Sequence, residues 1–166
     1  CVEKADLDIS DIYLQPLAAG EVSVSKDERA LGVALVDIGG SQTTISTFKD
    51  GSLESLKVAP VGGSHVTNDI SVGLRVTQAE AERVKMEHGH AYIDDTSDEV
   101  LATVHPMGGH EPEEYSQQDL AHIIEPRMEE IFEIIAEELA GIGDIPGGVV
   151  LTGGTVMMPG TLELAR

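Results

Sequence analysis

Apolar and β-branched residues occur in short runs along the chain, and turn-forming pairs separate these runs. Three consecutive runs, over 31–38, 43–49 and 52–59, are divided by Gly–Gly and Asp–Gly pairs, which predicts three antiparallel strands in succession. The first run is apolar almost throughout, which is typical of a strand that is covered on both faces. Further strands are predicted where apolar residues cluster or alternate, over 9–14, 100–104 and 149–152.

Helical periodicity marks most of the segments between these strands. A short helix is predicted from Pro16, because proline is favoured in the first helical turn, whereas the charged cluster over 26–29 is expected to be a solvated loop. Helices are also predicted from about 63 to 74, from 78 to 88 and from 116 to about 139, the last kinked or split at Pro126.

The charge balance narrows the classes of ligand. The chain of 166 residues has 30 acidic and 10 basic side chains and a net charge of −20, which argues against nucleic acid as a partner because its phosphates would be repelled. A single cysteine, Cys1, cannot form an internal disulfide, and no apolar segment approaches the length of a membrane span, so we expect a cytosolic protein. Residues 1–5 resemble the end of a helix, so we also expect a fragment of a longer chain.

The junction between the first two predicted strands is a candidate phosphate site. Asp37 stands near the end of the first strand, and Gly39, Gly40, Ser41 and Thr43 follow it. Glycine permits positive φ and lets backbone N–H groups face an anion, and the hydroxyl groups add donors. Asp37 would then hold a metal-bound water. The alternative is a β-hairpin with a glycine-rich turn, because Gly–Gly pairs are common hairpin connectors.

Two further glycine pairs lie where a strand gives way to a helix. Gly62 and Gly63 open the helix predicted from about 63, which makes them a candidate point of close approach for a ligand. Gly153 and Gly154 follow an apolar strand, and in open α/β sheets nucleotides bind at the carboxyl ends of strands. Glycine at these positions would let a flat ring or a ribose approach the main chain.

Three charged residues on predicted helices are candidates for ligand or partner contacts. Glu82 and Lys85 are three apart and share one helix face, where the simpler interpretation is a surface ion pair. Arg127 is a lone basic residue in an acidic helix and could contact an acidic peptide, although a pair with Glu130 is the simpler account. Zinc binding by the histidines between 88 and 110 is disfavoured, because their spacing does not match paired zinc ligands.

Together these motifs resemble, in the same order, those of the ATPase superfamily that contains actin, Hsp70 and the sugar kinases. Segment 37–44 is similar to the second phosphate motif of the superfamily, and segment 151–154 is similar to its adenosine motif. Longer segments resemble the bacterial cell-division FtsA family, and this resemblance extends over essentially the whole chain: 14–20, 61–70, 79–85, 124–127 and 148–154.

The resemblance implies an α/β, actin-like (ribonuclease H-like) ATPase lobe, in which a mixed sheet has flanking helices and a smaller inserted subdomain. Subdomain 2A would comprise residues 11–62 and 125–166, and subdomain 2B would comprise residues 63–124. Residues 1–10 would be the remnant of subdomain 1A. The first phosphate loop and the membrane-binding C-terminal helix of the family would lie outside this chain.

The resemblance also implies ATP and Mg²⁺ as ligands. Asp37 would act on the Mg²⁺ shell or the attacking water. The phosphates would be contacted by the turn residues Gly39, Gly40, Ser41 and Thr43, with Gly62 and Gly63 as a further point of close approach. The nucleoside would be contacted by Glu82, Lys85, Gly153 and Gly154. Ser41–Gln42 stands where many members have Gly–Thr, so we expect at most weak ATPase activity in the full-length protein and an inactive fragment.

The family implies a cell-division adaptor that assembles into actin-like filaments and tethers the C-terminal tail of FtsZ to the membrane at the septum, together with other division proteins. Arg127 is then the candidate contact for the FtsZ tail. The rival hypothesis is an active ATPase or kinase lobe of the Hsp70 or sugar-kinase type. A third is a scaffold that keeps the fold without a nucleotide site.

Overall fold

The computed structural model describes residues 2–109 and 111–166, which form six strands, six α-helices and three short 3-10 helices. The strands are β1 (Val33–Ile38), β2 (Thr43–Lys49), β3 (Ser52–Ala59), β4 (Val100–Val104), β5 (Glu113–Ser116) and β6 (Val149–Thr152). The α-helices are α1 (Gln15–Ser23), α2 (Lys26–Leu31), α3 (Gly63–Gly73), α4 (Gln78–His88), α5 (Gln117–Ala140) and α6 (Thr161–Leu164). The 3-10 helices are Glu3–Ala5, Ile93–Asp95 and Gly154–Met157.

Four strands form a mixed sheet in the order β3-β2-β1-β6, in which β1 is antiparallel to β2 and parallel to β6. Asp37 is paired with Thr44 of β2 on one side and with Thr152 of β6 on the other. Because β1 and β6 run in the same direction, the turn after β1 and the loop after β6 leave the sheet at the same end of the strands. The predicted succession of three antiparallel strands is confirmed.

The turn between β2 and β3 follows from its two central residues. Asp50 has φ 51° and Gly51 has φ 77°, so both take the positive φ that a type I′ hairpin turn requires. Asp–Gly satisfies this requirement, because aspartate tolerates the left-handed region and glycine adopts it without strain. The predicted hairpin at this dipeptide is therefore confirmed.

The apolar core lies between the sheet and helices α3, α4 and α5. Val36 and Ile38 of β1 are fully buried, as are Ile70 of α3, Val84 of α4 and Ile131 of α5. Burying a side chain of this size stabilises a fold by about 1.5–3 kcal/mol. The strand that leads into the candidate phosphate turn is thus one of the most tightly packed parts of the chain.

The predicted division into subdomains stays a prediction. The second sheet, which pairs β4 with β5, belongs to the predicted insertion at 63–124. One continuous apolar cluster nevertheless includes Val36 of β1, Val84 of α4 and Tyr115 of β5. The segments on both sides of the predicted boundary therefore share a core.

Two predictions for the N-terminal region are wrong. Segment 9–14 belongs to neither sheet, and all six of its residues are exposed, so no apolar packing holds it against a strand. Residues 26–29 are helical, not a loop. The Ser25 hydroxyl accepts from Glu28 N at 3.2 Å and the Glu28 carboxylate accepts from Ser25 N at 2.8 Å, which is a capping box that starts α2.

Helix α5 continues through Pro126, so the predicted split does not occur. A proline inside a helix removes one backbone donor and crowds the preceding turn. Ile124 and Met128, on either side of it, are both fully buried in the same core, which holds the two halves in one helix. Within the described residues no helix, α5 included, is both long and apolar enough to cross a bilayer.

The cap at the start of α5 gives a pH-dependent prediction. Asp119 accepts hydrogen bonds from Ser116 N at 2.9 Å and Ser116 Oγ at 2.8 Å, and these bonds hold the pKa of Asp119 below its ordinary value of 3.8. The ionised form therefore stabilises the fold above that pH, and its contribution is lost as the pH falls through the lowered pKa. We expect Asp119→Asn to lower the free energy of unfolding in urea at about pH 7, with a smaller loss at about pH 3.

The matched control is Asp98→Asn, because Asp98 is an exposed aspartate outside every helix and strand. We expect no resolvable change from it at either pH. Equal losses for the two variants, or a loss for Asp119→Asn that does not vary with pH, would contradict the role of the cap.

Candidate functional site

A cleft of about 410 Å³ opens at the carboxyl ends of β1 and β6. Three parts of the chain surround it: the start of α3 with the turn after β1, the second half of α4, and the segment after β6. Its lining residues are Gly40, Gly63, Ser64, Glu82, Lys85, Met86, Gly154, Thr155, Met157, Met158 and Pro159. Five predicted site residues, Gly40, Gly63, Glu82, Lys85 and Gly154, are therefore brought together in one cleft.

The carbonyl groups of the turn after β1 point towards α3 and the segment after β6. Gly39 O accepts hydrogen bonds from Gly63 N at 2.9 Å and from Thr155 Oγ1 at 3.0 Å. Gly40 O accepts from Ser64 N at 2.7 Å. Two of the donors that the start of α3 leaves without a helical partner are thus satisfied by this turn. The turn, the helix and the segment after β6 are fixed to one another.

The amides of the same turn are available to a ligand. Gly39 N donates to Gln42 O at 3.0 Å and closes the turn. Within residues 2–109 and 111–166, the amides of Gly40, Ser41 and Gln42 donate to no backbone or side-chain acceptor, and Ser41 and Gln42 are exposed. Successive backbone donors of this kind form a concavity that suits an anion. The turn after β1 therefore has the donors that a phosphate group needs.

Close approach to the turn requires glycine at the start of α3, whereas positive φ is not used by the glycines of the turn itself. Gly39 and Gly40 have φ outside the left-handed region, so the expectation of positive φ there is wrong. The tight position is Gly62, where a Cβ would lie 2.4 Å from Gly39 O, and Gly63 is similarly restricted by Thr155 Oγ1 at 2.5 Å. Side chains at these two positions would separate α3 from the turn.

The two glycines after β6 have different roles. Gly153 has φ 102°, and a Cβ there would lie 2.4 Å from Ile38 O and 2.5 Å from Asp37 Oδ1. It lets the chain turn closely over the end of β1. A Cβ at Gly154 would meet no described atom within 4 Å, and Gly154 lines the cleft. Gly154 is therefore the member of the pair that leaves room for a ligand.

Asp37 lies near the end of β1 and outside the cleft lining. Its Oδ2 accepts a hydrogen bond from Gln15 Nε2 at 2.6 Å, so the start of α1 orients this carboxylate. Among the described residues no group of three or more histidine, cysteine, aspartate or glutamate side chains could hold a metal ion. A Mg²⁺ ion at this edge would need water and phosphate oxygens as its remaining ligands, which is how this ion is usually held.

Lys85 and Glu82 form a hydrogen-bonded cluster with Thr67 of α3. Lys85 Nζ donates to Glu82 Oε2 at 2.7 Å, to Thr67 Oγ1 at 2.8 Å and to Gly63 O at 3.1 Å. Only 12% of the Lys85 side chain is exposed, so all three of its donors are used within the fold. Lys85 thus joins α4 to the first turn of α3. Glu82 is more open, with 46% of its side chain exposed.

The electrostatics of this cluster keep the cleft locally neutral. Burial disfavours ionisation of Glu82, but hydrogen bonds from Lys85 and Thr67 and the charge of Lys85 outweigh it, so the pKa of Glu82 is lowered. Glu82 is ionised at neutral pH and is paired with the one cationic side chain of the lining. A chain with a net charge of −20 therefore presents no uncompensated carboxylate from this cluster to an anion.

Seven predicted site residues lie outside the cleft lining: Asp37, Gly39, Ser41, Thr43, Gly62, Gly153 and Arg127. Thr43 is fully buried and its hydroxyl donates to Val61 O at 2.8 Å, so a phosphate contact by this hydroxyl would require an internal hydrogen bond to break. Arg127 lies outside the cleft lining and binds Asp69 through Nε at 2.6 Å and Nη2 at 3.3 Å. It also pairs with Glu130, as the simpler account expected.

Sequence reasoning missed several residues that build the cleft. Thr67 and Thr155 connect its parts through hydroxyl groups, and Ser64 holds the turn after β1 through its amide. A hydroxyl residue directly after a Gly–Gly pair is a signal that could have identified Ser64 and Thr155. The sequence did not indicate the apolar part of the lining, because apolar residues at these spacings are equally expected in a core. This part consists of Met86, Met157, Met158 and Pro159.

Comparison with known proteins agrees with this architecture. A sequence model of the family described as "Cell division protein FtsA" matches residues 34–166. The chain belongs to the FtsA family. It is 54% identical to cell division protein FtsA of Bacillus subtilis and 40% identical to that of Pseudomonas aeruginosa, with 100% of the chain covered in both cases. It spans 38% and 40% of the lengths of these two FtsA proteins.

Solved structures identify the fold of this FtsA family member as actin-like. MreB5 of Spiroplasma citri, in a crystal structure bound to ADP, has a TM-score of 0.75 at 20% identity, over 95% of this chain and 52% of MreB5. The MamK filament determined by cryo-EM has a TM-score of 0.66 at 17% identity, over 96% of this chain and 50% of MamK. The predicted actin-like α/β fold with a mixed sheet is confirmed.

The contact between Gly62 and the turn after β1 gives a second prediction. Gly62 has φ −179°, which any residue can adopt, so the penalty for Gly62→Ala is purely steric. Because the new Cβ would lie 2.4 Å from Gly39 O and 2.8 Å from Gly40 O, we expect a loss of about 2 kcal/mol in the free energy of unfolding, measured in urea.

Gly141→Ala is the matched control. Gly141 has φ −85°, and a Cβ there would meet no described atom within 4 Å. This variant should stay within about 0.5 kcal/mol of the parent chain. If both variants had the same stability, the close approach at Gly62 would not constrain the fold.

Proposed function

We propose that this chain is the nucleotide-binding lobe of an actin-like cell-division protein and that its cleft binds ATP with Mg²⁺. The observation that carries the proposal is the cleft itself, which is lined by Gly40 of the turn after β1, by the ion pair of Glu82 and Lys85 and by the bare glycine Gly154. Membership of the FtsA family and the likeness of the fold to ADP-bound MreB5 support it. Because the chain spans 38% of its Bacillus relative, the proposal concerns the full-length protein.

The phosphates would bind at the turn after β1. The amides of Gly40 and Ser41 supply donors, and the Ser41 hydroxyl adds a further one. Mg²⁺ would neutralise part of the phosphate charge, which a chain with a net charge of −20 would otherwise repel. Asp37, oriented by Gln15, would hold a water of the metal shell.

The nucleoside would lie between α4 and the segment after β6. Glu82 uses Oε2 in its bonds to Lys85 and Thr67, which leaves Oε1 as an acceptor for a ribose hydroxyl. Lys85 has no unused donor and would act by positioning Glu82 and α3. Gly154 leaves space for a flat ring, and the apolar wall formed by Met86, Met157 and Pro159 suits the faces of a purine.

Weak hydrolysis is the expected behaviour of this site. Gln42 is exposed beside the phosphate turn and lacks the hydroxyl that many superfamily members have there. Asp37 is set back from the cleft lining and is hydrogen-bonded to Gln15. Bound nucleotide would therefore serve mainly to stabilise the fold and the self-associated state, and ATP would be hydrolysed slowly.

At the level of the whole protein, we propose a division-site adaptor that self-associates and tethers the FtsZ C-terminal tail to the membrane with other division proteins. The FtsA relatives support the role in division, and the likeness to the MamK filament supports self-association. Arg127 is the proposed contact for the tail. It is partly exposed, and its guanidinium already binds carboxylates in a planar arrangement.

Gly154 provides the sharpest test of nucleotide binding. Gly154→Val places a side chain in the cleft without meeting a described atom, so we expect the fold to persist and ATP binding to weaken by at least about tenfold. The measurement is the rise in the melting temperature of the full-length protein with ATP and Mg²⁺, which reports binding by mass action.

Gly143→Val is the control, because Gly143 is exposed beyond α5 and a Cβ there also meets no described atom within 4 Å. It should keep the parental response to ATP. An unchanged response in Gly154→Val, or no response in the parent protein, would remove the cleft as the ATP site.

A substitution at Arg127 tests the proposed binding of the FtsZ tail. Calorimetric titration of the full-length protein with an FtsZ C-terminal tail peptide should give binding that Arg127→Gln weakens by at least about fivefold, because one charged contact is lost. Arg127→Gln is preferred to a charge reversal, which would place a carboxylate beside Asp69.

The control here is Arg83→Gln, since Arg83 is an exposed arginine of α4 with its own glutamate partners. It should leave the affinity for the tail unchanged. Equal weakening by both variants would indicate a general charge effect, and no binding by the parent protein would reject the proposed docking surface.

A further inference from the structure

Methionine is concentrated on one wall of the cleft. The sequence contains five methionines, and three of them, Met86, Met157 and Met158, line this cleft. Met86 is 77% exposed and Met157 is 82% exposed, whereas Met128 is fully buried in the core. Two long apolar side chains on different elements, α4 and the segment after β6, thus line a ligand-sized space and are open to solvent.

This placement has a chemical consequence. A thioether is flexible and polarisable, so it packs well against an aromatic ring. The same sulfur, when exposed, is oxidised to a sulfoxide, which turns an apolar side chain into a polar and chiral one. A wall built from exposed methionines therefore binds a flat ring in its reduced form and loses that apolar contact in its oxidised form.

We infer that Met86 and Met157 are an oxidation-sensitive site that controls occupancy of the cleft, with a peroxide as the oxidant. In each reaction the sulfur lone pair attacks one peroxide oxygen, the O–O bond breaks and an S–O bond forms. Sulfur is oxidised by two electrons, and with hydrogen peroxide the transferred oxygen gives its proton to the departing hydroxide, which leaves as water. Methionine sulfoxide reductases reverse the change. The inference rests on the proposed function, because the ligand whose binding changes is the nucleotide.

Two methionines outside the cleft lining, Met107 and Met128, serve as internal controls for oxidation. Met107 is 53% exposed but lies beyond β4, where its amide donates to Arg75 O, and it is outside the cleft lining. Met128 is shielded by the core. Oxidation of Met107 should therefore leave nucleotide affinity unchanged, and Met128 should react last.

The experiment treats the full-length protein with dilute hydrogen peroxide and follows each methionine by peptide mass spectrometry. ATP affinity is measured by calorimetry before treatment, after treatment and after repair with both classes of methionine sulfoxide reductase. We expect Met86 and Met157 to oxidise well before Met128, and the dissociation constant for ATP to rise about tenfold and to return after repair.

Two variants locate the effect. In Met86→Leu/Met157→Leu the ratio of treated to untreated dissociation constants should fall close to one, each sample being compared with its own untreated state. In Met107→Leu the ratio should remain that of the parent protein. A parental ratio in the double variant, or full oxidation of Met86 and Met157 without a change in affinity, would overturn the inference. Absence of ATP binding before treatment would instead remove the proposed function, and the inference with it.

Discussion

The arrangement of the site depends on one carbonyl group. Gly39 O accepts from the amide that opens α3 and from the Thr155 hydroxyl after β6, so a single atom joins three segments that are far apart in sequence. Both lone pairs of the oxygen are used, and the geometry of each segment depends on the others. The glycine at position 62 is a direct consequence, because any Cβ there would meet this oxygen.

The same contact occupies the carbonyls of the turn. With its carbonyls bonded to α3 and Thr155, the turn after β1 leaves the amides of Gly40, Ser41 and Gln42 without an acceptor among the described residues. A helix start usually offers its own amides to an anion. Here two amides at the start of α3 donate to carbonyls of the turn, and the amides without an acceptor are those of the turn. The strongly packed β1 strand supports this arrangement, because it fixes where the turn begins.

Much of the fold could be predicted from sequence because local signals agreed with the final structure. The Asp50–Gly51 turn needs no partner to define it, and α4 runs from Gln78 to His88 as its pattern indicated. The failures have different causes. The helix over 26–29 was missed although its capping box, between Ser25 and Glu28, is local, whereas the other two depend on tertiary packing. Segment 9–14 has strand-forming residues but buries none of them against a sheet, and Pro126 is tolerated because the core holds both halves of α5. For the site, spacing placed Glu82 and Lys85 on one face correctly, but it could not reveal that Thr67, from another helix, would complete the cluster.

Under the proposed function, the surroundings of Asp37 favour holding a nucleotide over cleaving it rapidly. One carboxylate oxygen accepts from Gln15, and the other lies so close to Gly153 that a Cβ there would approach it to 2.5 Å. The hydrogen bond from Gln15 orients the carboxylate, which lies outside the cleft lining. Fast hydrolysis needs groups that are already placed around the attacking water. In this chain the turn after β1 has amides without a partner among the described residues, and under the proposed function these would act on the phosphates, whereas Asp37 would reach the site only through a water of the metal shell.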